Sequence, residues 1–378
     1  MYSIAGHVSF LSDRVRIQSY ARALERAVRP ASVVIDLGTG TGIFALLACR
    51  FGARKVYAID PSDVIQVAKE VAADNGYAER IQFLQEYSTR AVLPEKADVI
   101  VSDMHGVLPW FQHHIPAIVD ARKRFLAPGG KLIPEREIFC AVPVEEPEVY
   151  RDIAGSWEES GDGPELSRVR QMATNSWRKV RVRPEQLLAG PECLATLNYS
   201  TVEDANLLAR ATWITTRAGT GHGFVAWFDS VLADGVEFSN SPFAEEVIYG
   251  KALFPWAEPV ALLAGDSISL SLQSNLVGED YVWGWQTRVS RAGRVMASFQ
   301  QSTFYGTPIT PLTLRKLAAD YLPTLNVEGQ IDEFVLALMK RHVSLAAIAR
   351  RVVRRFPQRF AKWEEALGRV SELSKKYS

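Results

Sequence analysis

A glycine-rich loop near the start of the chain is the strongest chemical signal in the sequence. Asp36, Gly38, Gly40 and Gly42 lie in the run DLGTGTG, which follows a β-branched stretch and precedes a helical pattern. Glycines there let the backbone turn sharply and approach a ligand beside a helix N-terminus. Asp60 ends the next apolar stretch, 22 residues after Gly38, where a carboxylate can accept both hydroxyls of a ribose. Together these residues predict a site for an adenosine-containing cofactor.

The spacing of the glycines narrows the kind of cofactor. A dinucleotide site would place its third glycine three residues after the second, whereas Gly42 follows Gly40 by two. The spacing G-x-G-x-G, with an acidic residue two before the first glycine, resembles class I S-adenosylmethionine-dependent methyltransferases. A dinucleotide site and a tight turn without a ligand stay open as alternatives.

Short apolar strands alternate with helical stretches around this loop, between residues 32 and 134. Such alternation predicts an α/β domain with a parallel sheet and helices on both faces. The segment Ala127–Lys131 (APGGK) predicts a helix stop and turn. The predicted strands are Val33–Leu37, Val56–Ile59, Ile81–Leu84, Val99–Ser102 and Lys131–Ile133, and the predicted helices are Ile43–Arg50, Ser62–Asn75 and Ile115–Leu126.

Beyond residue 134 the apolar pattern changes to a period of two. Ser267–Gln273, Tyr281–Val289 and Val295–Phe304 alternate apolar and polar residues, which predicts antiparallel strands of a β-barrel or sandwich across 135–306. Within this region, residues 152–195 are rich in Gly, Pro, Glu and Arg and predict an excursion off the strands. Residues 310–378 return to a helical pattern with 13 Lys and Arg against 7 Asp and Glu. They predict a small basic helical module for docking, or a helical cap with a solvated face.

Composition and charge limit the class of protein. A chain of 378 residues, 47% of them hydrophobic, predicts two or three domains. The 43 basic residues balance the 43 acidic ones, so no global field favours nucleic acid or anionic lipid. Three distant cysteines predict neither a disulfide framework nor a metal site. With no apolar run of membrane-spanning length and no secretory signal pattern, we expect a soluble, cytoplasmic protein.

Four further segments resemble the protein arginine methyltransferases. The likeness extends over about residues 5–306, and it implies a Rossmann-like S-adenosylmethionine domain in 1–134 followed by a β-barrel substrate domain in 135–306. It also implies that 152–195 forms a dimerisation arm and that the protein is a head-to-tail homodimer. The four segments are His7–Tyr20 with its His, Asp, Arg and Tyr, Asp98–Gly106 with a catalytic loop, Gly129–Pro134, and His222–Phe228 in a barrel strand.

The resemblance implies a role for each cofactor-binding residue. Arg16 would pair with the carboxylate of S-adenosylmethionine, although an ordinary ion pair with Asp13 is the alternative. The glycines would pass under the methionine part, and Asp60 would hold the ribose. Residues 87–89 would line the adenine, but the family has a glutamate where Thr89 stands. The full predicted set is Arg16, Asp36, Gly38, Gly40, Gly42, Asp60, Ser88 and Thr89.

The catalytic positions depart from the family pattern. The family grips a guanidinium with two glutamates, and Asp103 and Gln112 stand at their places. Residues 247–249 (VIY) replace the family's Thr-His-Trp loop. We therefore hypothesise that Asp103 orients the substrate and that His105 is the general base, for a nucleophile other than arginine or in addition to it. Simple packing of His105 is an equal alternative. His113 and His114 are adjacent and predict surface residues, not a metal pair.

The C-terminal residues suggest the kind of substrate. Ser344–Ala349 and Phe356–Pro357 weakly resemble winged-helix-like peptide-binding modules related to the PqqD chaperone. The sequence thus predicts N-methylation (with oxygen as another acceptor) of a peptide or protein by an S-adenosylmethionine-dependent methyltransferase. A non-catalytic scaffold that keeps the cofactor fold and a small-molecule methyltransferase are the alternatives. Nucleic acid is a less favoured partner, because the basic helices lack interleaved aromatic residues, and no membrane is expected.

Overall fold

The computed structural model describes residues 4–155 and 166–378. By contacts, the chain divides into two compact units, residues 1–307 and residues 308–378. None of the described helices combines the length and the apolar character that crossing a membrane requires.

Two helices precede the first sheet. α1 (Ile4–Ser12) is followed by α2 (Arg14–Ala27), whose N-terminus is capped by Asp13, since its carboxylate accepts from the backbone N–H of Arg16 at 3.0 Å. α2 buries one face, including Tyr20 and Leu24, in an apolar cluster with residues of the first sheet, of the next helix and of the antiparallel strands that follow. The side chain of His7 lies outside the described part of α1.

The first sheet has five parallel strands, in the order β3-β2-β1-β4-β5. All five residues of the central strand are buried, as a strand covered by helices on both faces requires. The predicted parallel α/β layer is confirmed, and three of its elements have the predicted bounds. The elements are β1 (Val33–Leu37), α3 (Ile43–Arg50), β2 (Lys55–Ile59), α4 (Ile65–Asp74), β3 (Ile81–Leu84), β4 (Ala97–Ser102), α5 (His114–Phe125) and β5 (Leu126–Ile133).

The predicted turn at Ala127–Lys131 lies inside β5 instead. The partners of β4 on this strand jump from Leu126 to Lys131, so the intervening residues form a bulge in the strand. Gly129 has a φ of 78°, a conformation that glycine adopts without strain. The helix before this segment ends at Phe125, in agreement with the predicted stop, but the glycines form a bulge where the sequence predicted a turn.

Two antiparallel sheets follow, as the period-two pattern predicted, and they are consistent with a barrel. One has the order β7-β12-β10-β6-β8, with β11 also paired to β10, and the other has the order β15-β14-β13-β9. Large aromatic side chains such as Trp256 and Trp285 are fully buried in the core of this region. The strands are β6 (Arg136–Val144), β7 (Arg178–Val180), β8 (Glu192–Asn198), β9 (Leu207–Ile214), β10 (Gly219–Ala233), β11 (Val236–Ser239), β12 (Lys251–Leu262), β13 (Ser267–Val277), β14 (Asp280–Arg291) and β15 (Arg294–Ser302).

The stretch 152–195 is only partly an excursion from these sheets. It includes the end of α6 (Pro147–Ala154) and all of α7 (Ser167–Ala173), but β7 pairs with β12 and the start of β8 pairs with β6. Two segments of the predicted dimerisation arm, β7 and the start of β8, are therefore strands of the antiparallel sheet that contains β6 and β12. Residues 156–165 of this stretch lie outside the described residues.

The C-terminal unit has its own small core. Helices α8 (Pro311–Lys316), α9 (Val327–Met339), α10 (Leu345–Arg355) and α11 (Trp363–Tyr377) follow the predicted helical pattern. The last three pack Ile331, Val335, Ile348, Val352 and Val370 into a cluster that excludes solvent. Residues 308–378 are all described and contain no strand, so the likeness to a winged-helix module is limited to its helices.

Candidate active site

The glycine loop joins β1 to α3 in a left-handed conformation. Gly38, Gly40 and Gly42 have φ values of 71°, 53° and 85°, which L side chains rarely adopt. The N–H of Gly38 donates to the carbonyl of Ile59 at 2.9 Å, which ties the loop to the end of β2. A Cβ on Gly38 would lie 2.6 Å from Cγ of Met104, so the loop after β4 packs directly on the glycine loop.

The Asp36 side chain stabilises the glycine loop through hydrogen bonds inside the protein. It is fully buried, and its carboxylate accepts from the hydroxyl of Thr39 at 2.6 Å and from the N–H of Ala45 at 3.0 Å. Burial raises the pKa of Asp36 to about 7, although both hydrogen bonds oppose the shift. The side chain thus lies inside the protein and acts on the loop, and a contact of Asp36 with the cofactor stays a prediction.

Asp60 lies at the open edge of the sheet. It is half-buried at the end of β2, and its carboxylate accepts from the N–H of Gly40 at 2.9 Å and from the N–H of Ser62 at 2.8 Å. Both contacts aim the carboxylate along the carboxyl ends of the parallel strands, where ligands bind in open α/β sheets. The ribose role that the sequence predicted for Asp60 stays a prediction.

Ser88 and Thr89 follow β3, the next strand of the same edge. Thr89 is exposed, and the carbonyl of Ser88 accepts from the Arg124 guanidinium. The ends of β1, β2 and β3 therefore carry the glycine loop, Asp60 and this segment in that order. The order suits a nucleoside laid across the edge, and the adenine role of Ser88 and Thr89 stays a prediction.

Arg16 projects from α2 into the buried space beside the loop after β4. Its guanidinium forms an ion pair with Asp103, donates to the Tyr249 hydroxyl at 3.0 Å and donates to the Phe10 carbonyl at 3.1 Å. It also lies 5.2 Å from the ring centroid of Phe44. The alternative of an ion pair with Asp13 is wrong, since Asp13 caps the helix and accepts from the N–H of Ile248.

Asp103 follows the last residue of β4 and is almost completely buried. The Tyr249 hydroxyl donates to its Oδ1 at 2.6 Å, and Arg16 pairs with its Oδ2. Burial would raise the pKa of Asp103, but Arg16 and His105 outweigh it and lower the pKa below its usual value. The carboxylate is therefore ionised, with both oxygens engaged by protein groups.

His105 lies between two carboxylates. Its Nε2 is 3.1 Å from Oε1 of Glu137 and 3.5 Å from Oδ1 of Asp103, and its Nδ1 is 3.2 Å from the Gly106 carbonyl. The contact with Glu137 has the distance of an ion pair but not the alignment of a hydrogen bond. Burial would lower the pKa of His105, but the carboxylates and the carbonyl raise it to about 9.

This environment favours the imidazolium form at neutral pH. Both ring nitrogens face oxygen acceptors, so His105 has no free lone pair with which to take a proton. The general-base hypothesis for His105 is therefore not supported by its contacts. The alternative, that His105 only packs in the core, does not describe its contacts fully either, because the ring lies beside the carboxylates of Asp103 and Glu137.

A cavity of about 420 Å³ adjoins His105 and Tyr249. Aromatic rings form most of its wall, and Lys179 is its other cationic side chain. The described residues that line it are Gly6, Ser9, Phe10, His105, Gly106, Val107, Leu108, Trp110, Phe111, Trp177, Lys179, Ile248, Tyr249 and Trp283.

Comparisons with solved structures agree with this arrangement. The structure is similar to the Trypanosoma brucei PRMT1 enzyme–prozyme heterotetrameric complex with AdoHcy, with a TM-score of 0.74 and 22% identity over 80% of this chain and 98% of that one. It is also similar to Arabidopsis thaliana protein arginine methyltransferase 10, with a TM-score of 0.70 and 20% identity over 79% and 97% of the two chains. The fold is that of the protein arginine methyltransferases.

Comparisons of the sequence with known proteins also find methyltransferases. The family model of ribosomal protein L11 methyltransferase (PrmA) matches residues 19–134. Protein arginine N-methyltransferase 1 of Dictyostelium discoideum is 25% identical over 70% of this chain and 79% of its own length. Probable protein arginine N-methyltransferase 6 of Arabidopsis thaliana is 29% identical over 62% of this chain, which spans 54% of that relative. The matches support the predicted S-adenosylmethionine-dependent methyltransferase and its cofactor.

Gln112 is not part of the buried cluster. It is exposed, has a φ of 44° and stands just before α5. It does not line the aromatic cavity, and no hydrogen bond joins it to Asp103 among the described residues. The prediction that Gln112 accompanies Asp103 in catalysis therefore receives no support from its position.

Glu137 is the second carboxylate of the cluster, and the sequence analysis missed it. It is fully buried on β6, accepts from the Tyr199 hydroxyl at 2.6 Å and faces His105. The available signal was a single acid in the apolar run EIFCAVPV. His114 was also misjudged, since it is buried and its Nε2 lies 2.8 Å from the Tyr199 hydroxyl, whereas His113 is half-exposed as predicted.

Proposed function

We propose that this protein transfers the methyl group of S-adenosylmethionine to a nitrogen of a peptide or protein. The observation that carries the proposal is the position of the glycine loop, which packs on the loop that holds Asp103 and His105. A cofactor edge and an acceptor cavity thus share one catalytic loop. The relatives named as protein arginine N-methyltransferases add support for a protein substrate.

The residues at the cofactor edge fit S-adenosylmethionine. Three left-handed glycines leave the loop backbone without side chains at alternate positions, and the half-buried Asp60 carboxylate lies one strand away. Gly38, Gly40 and Gly42 would receive the methionine part and Asp60 the ribose. When bound, the cofactor supplies a methyl group on a sulfonium, which is an electrophile.

Arg16 and Asp103 have positioning roles in this proposal. Arg16 lies in the first turn of α2, where its guanidinium contacts Asp103, Tyr249 and the Phe10 carbonyl. The Tyr20 hydroxyl, on the same helix, donates to the Ser102 carbonyl at 3.2 Å and so fixes the start of the catalytic loop. A guanidinium fixed in this way is preorganised to pair with the cofactor carboxylate.

The proposal extends to the organisation of the chain. Residues 1–134 would bind the cofactor, residues 135–306 would bind the substrate, and 310–378 would act as a basic module that recruits a peptide. The stretch about 152–195 would serve as a dimerisation arm of a homodimer. The similar Trypanosoma complex is heterotetrameric, which supports assembly in general. A cytoplasmic location stays a prediction.

Methyl transfer to a peptide mixture tests the proposal. The full chain is incubated with S-adenosylmethionine that carries a labelled methyl group and with a proteolytic digest of a cell extract, and mass spectrometry locates the label. We expect label on peptides and its loss in the Asp60→Ala variant. No label on any peptide, with S-adenosylhomocysteine still bound, would favour the non-catalytic scaffold.

A further inference from the structure

Among the described residues that line the aromatic cavity, none carries a carboxylate. The charged groups of these lining residues are the cations His105 and Lys179. Six of the described lining side chains are aromatic, namely Phe10, Trp110, Phe111, Trp177, Tyr249 and Trp283. Such a cavity suits a flat, uncharged ring, because aromatic rings stack on one another. The two nearby cations would repel a positively charged ligand.

The buried charges behind the wall are balanced. Asp103 is paired with Arg16, and Glu137 faces His105 and accepts from Tyr199. Two cations thus compensate two carboxylates, and among the described residues of this cluster no negative charge is left over for a guanidinium. Burial and the neighbouring His105 hold the pKa of His114 well below its usual range, so His114 is neutral and does not alter this balance.

The described residues of the cavity and of the cluster behind it also offer no free proton acceptor. Both ring nitrogens of His105 face oxygen atoms, and both oxygens of Asp103 are engaged. The acceptor must therefore bring its own lone pair at neutral pH. Guanidinium, ammonium and phenol groups are protonated there, with ordinary pKa values of about 12.5, 10.4 and 10, whereas imidazole, at about 6.5, is mostly neutral.

We infer that the acceptor is a neutral flat nitrogen heterocycle, the imidazole of a histidine in a peptide, and not an arginine. This inference rests on the proposed methyl transfer. An imidazole nitrogen gives its lone pair to the methyl carbon and forms an N–C bond, while the C–S bond breaks and its electron pair stays on sulfur. The methylimidazolium product then gives its N–H proton to water, so no protein base takes part.

Binding can be measured without methyl transfer, because three tryptophans line the cavity. The full chain is titrated at pH 8 with 4-methylimidazole and, at matched ionic strength, with methylguanidinium, and tryptophan fluorescence is recorded. We expect a saturable change with 4-methylimidazole only. A saturable change with methylguanidinium alone, or with neither probe, would overturn the inference.

The position of the label provides the second readout. In the peptide digest we expect label on imidazole nitrogens, and label on arginine would overturn the inference while leaving the proposed function intact. If 4-methylimidazole binds but no peptide is labelled, the proposed function fails and the inferred acceptor fails with it. The rate with a histidine peptide should rise with pH through about 6.5 and then level. An inflection near the raised pKa of His105 would instead identify His105 as a base.

A charge reversal at the cavity tests the electrostatic argument. Lys179→Glu places a carboxylate in the wall without touching the buried cluster, so transfer to an arginine peptide should increase by roughly threefold to tenfold. Arg178→Glu is the matched control, because the neighbouring residue on β7 is exposed and does not line the cavity. Equal responses of the two variants would show that the cavity charge does not select the acceptor.

Discussion

The two sides of the catalytic loop use their polar groups differently. On the cofactor side, Asp60 is half-buried, and its hydrogen bonds go to Gly40 and Ser62, close by in the chain. On the acceptor side, Asp103, His105 and Glu137 are buried and compensate one another between the catalytic loop and β6. The Asp60 carboxylate lies half-buried at the open edge of the sheet, whereas the charges on the acceptor side are buried and paired with one another.

This difference has an energetic consequence. Charges taken out of water are costly unless they are paired, and removing one partner leaves the other uncompensated. Substitutions in the buried cluster should therefore reduce stability, whereas substitutions on the cofactor side should reduce ligand binding. The predictions below separate these two effects.

Glu137→Gln should have the largest effect. It leaves His105 without its nearest counter-ion, and we expect a loss of about 3–5 kcal/mol in the free energy of unfolding, measured by urea denaturation. The double variant His105→Gln/Glu137→Gln should recover part of this loss, because the uncompensated cation is gone. A double variant as unstable as the sum of the two single variants would show that the two groups are not coupled.

Gly38→Val should affect the cofactor side. The residue has a φ of 71°, and a Cβ would meet Met104, so the loop must move. We expect affinity for S-adenosylhomocysteine, measured by calorimetry, to fall by about 100-fold. Gly190→Ala is the control, since nothing lies within 4 Å of its Cβ position. Unchanged binding in Gly38→Val would place the cofactor elsewhere.

The stability of the protein should decrease at alkaline pH through His105. Its pKa is raised to about 9, so its contribution is fully present below about pH 6.5 and is lost as pH rises through about 9. From pH 7 to pH 10 the loss should be about 2–3 kcal/mol. His105→Gln should lack this component in the same denaturation series. Parallel pH profiles for both proteins would show that His105 is neutral in the folded state.

Tyr249→Phe should have the smallest effect. It removes the hydroxyl that donates to Asp103 and accepts from Arg16, and we expect a loss of about 1 kcal/mol in the free energy of unfolding. The ion pair of Arg16 with Asp103 stays, so affinity for S-adenosylhomocysteine should change little. A large loss of this affinity would mean that Tyr249 holds the cofactor side as well.

The sequence predicted the features of the fold and the site that depend on residues close to one another in the chain. β1, α3 and the glycine loop follow from local apolar patterns and from spacing, and Asp60 follows from its distance to Gly38. The acceptor side depends on contacts that spacing does not reveal, such as Arg16 with Asp103, 87 residues apart. Glu137 and His114 could not be placed, because their burial depends on how β6 and α5 meet the catalytic loop. The resemblance located Asp103, but only the contacts show that its charge is already paired.

Titration calorimetry of the full chain with S-adenosylhomocysteine tests the central claim most directly. We predict one binding site per chain, with a dissociation constant in the range of roughly 1 µM to 1 mM. The affinity should fall at least about tenfold in Asp60→Ala and stay the same in Asp74→Ala, which changes an exposed residue at the end of α4. No binding by the unaltered protein, or equal affinity in Asp60→Ala, would contradict a methyl-donor site at this edge of the sheet.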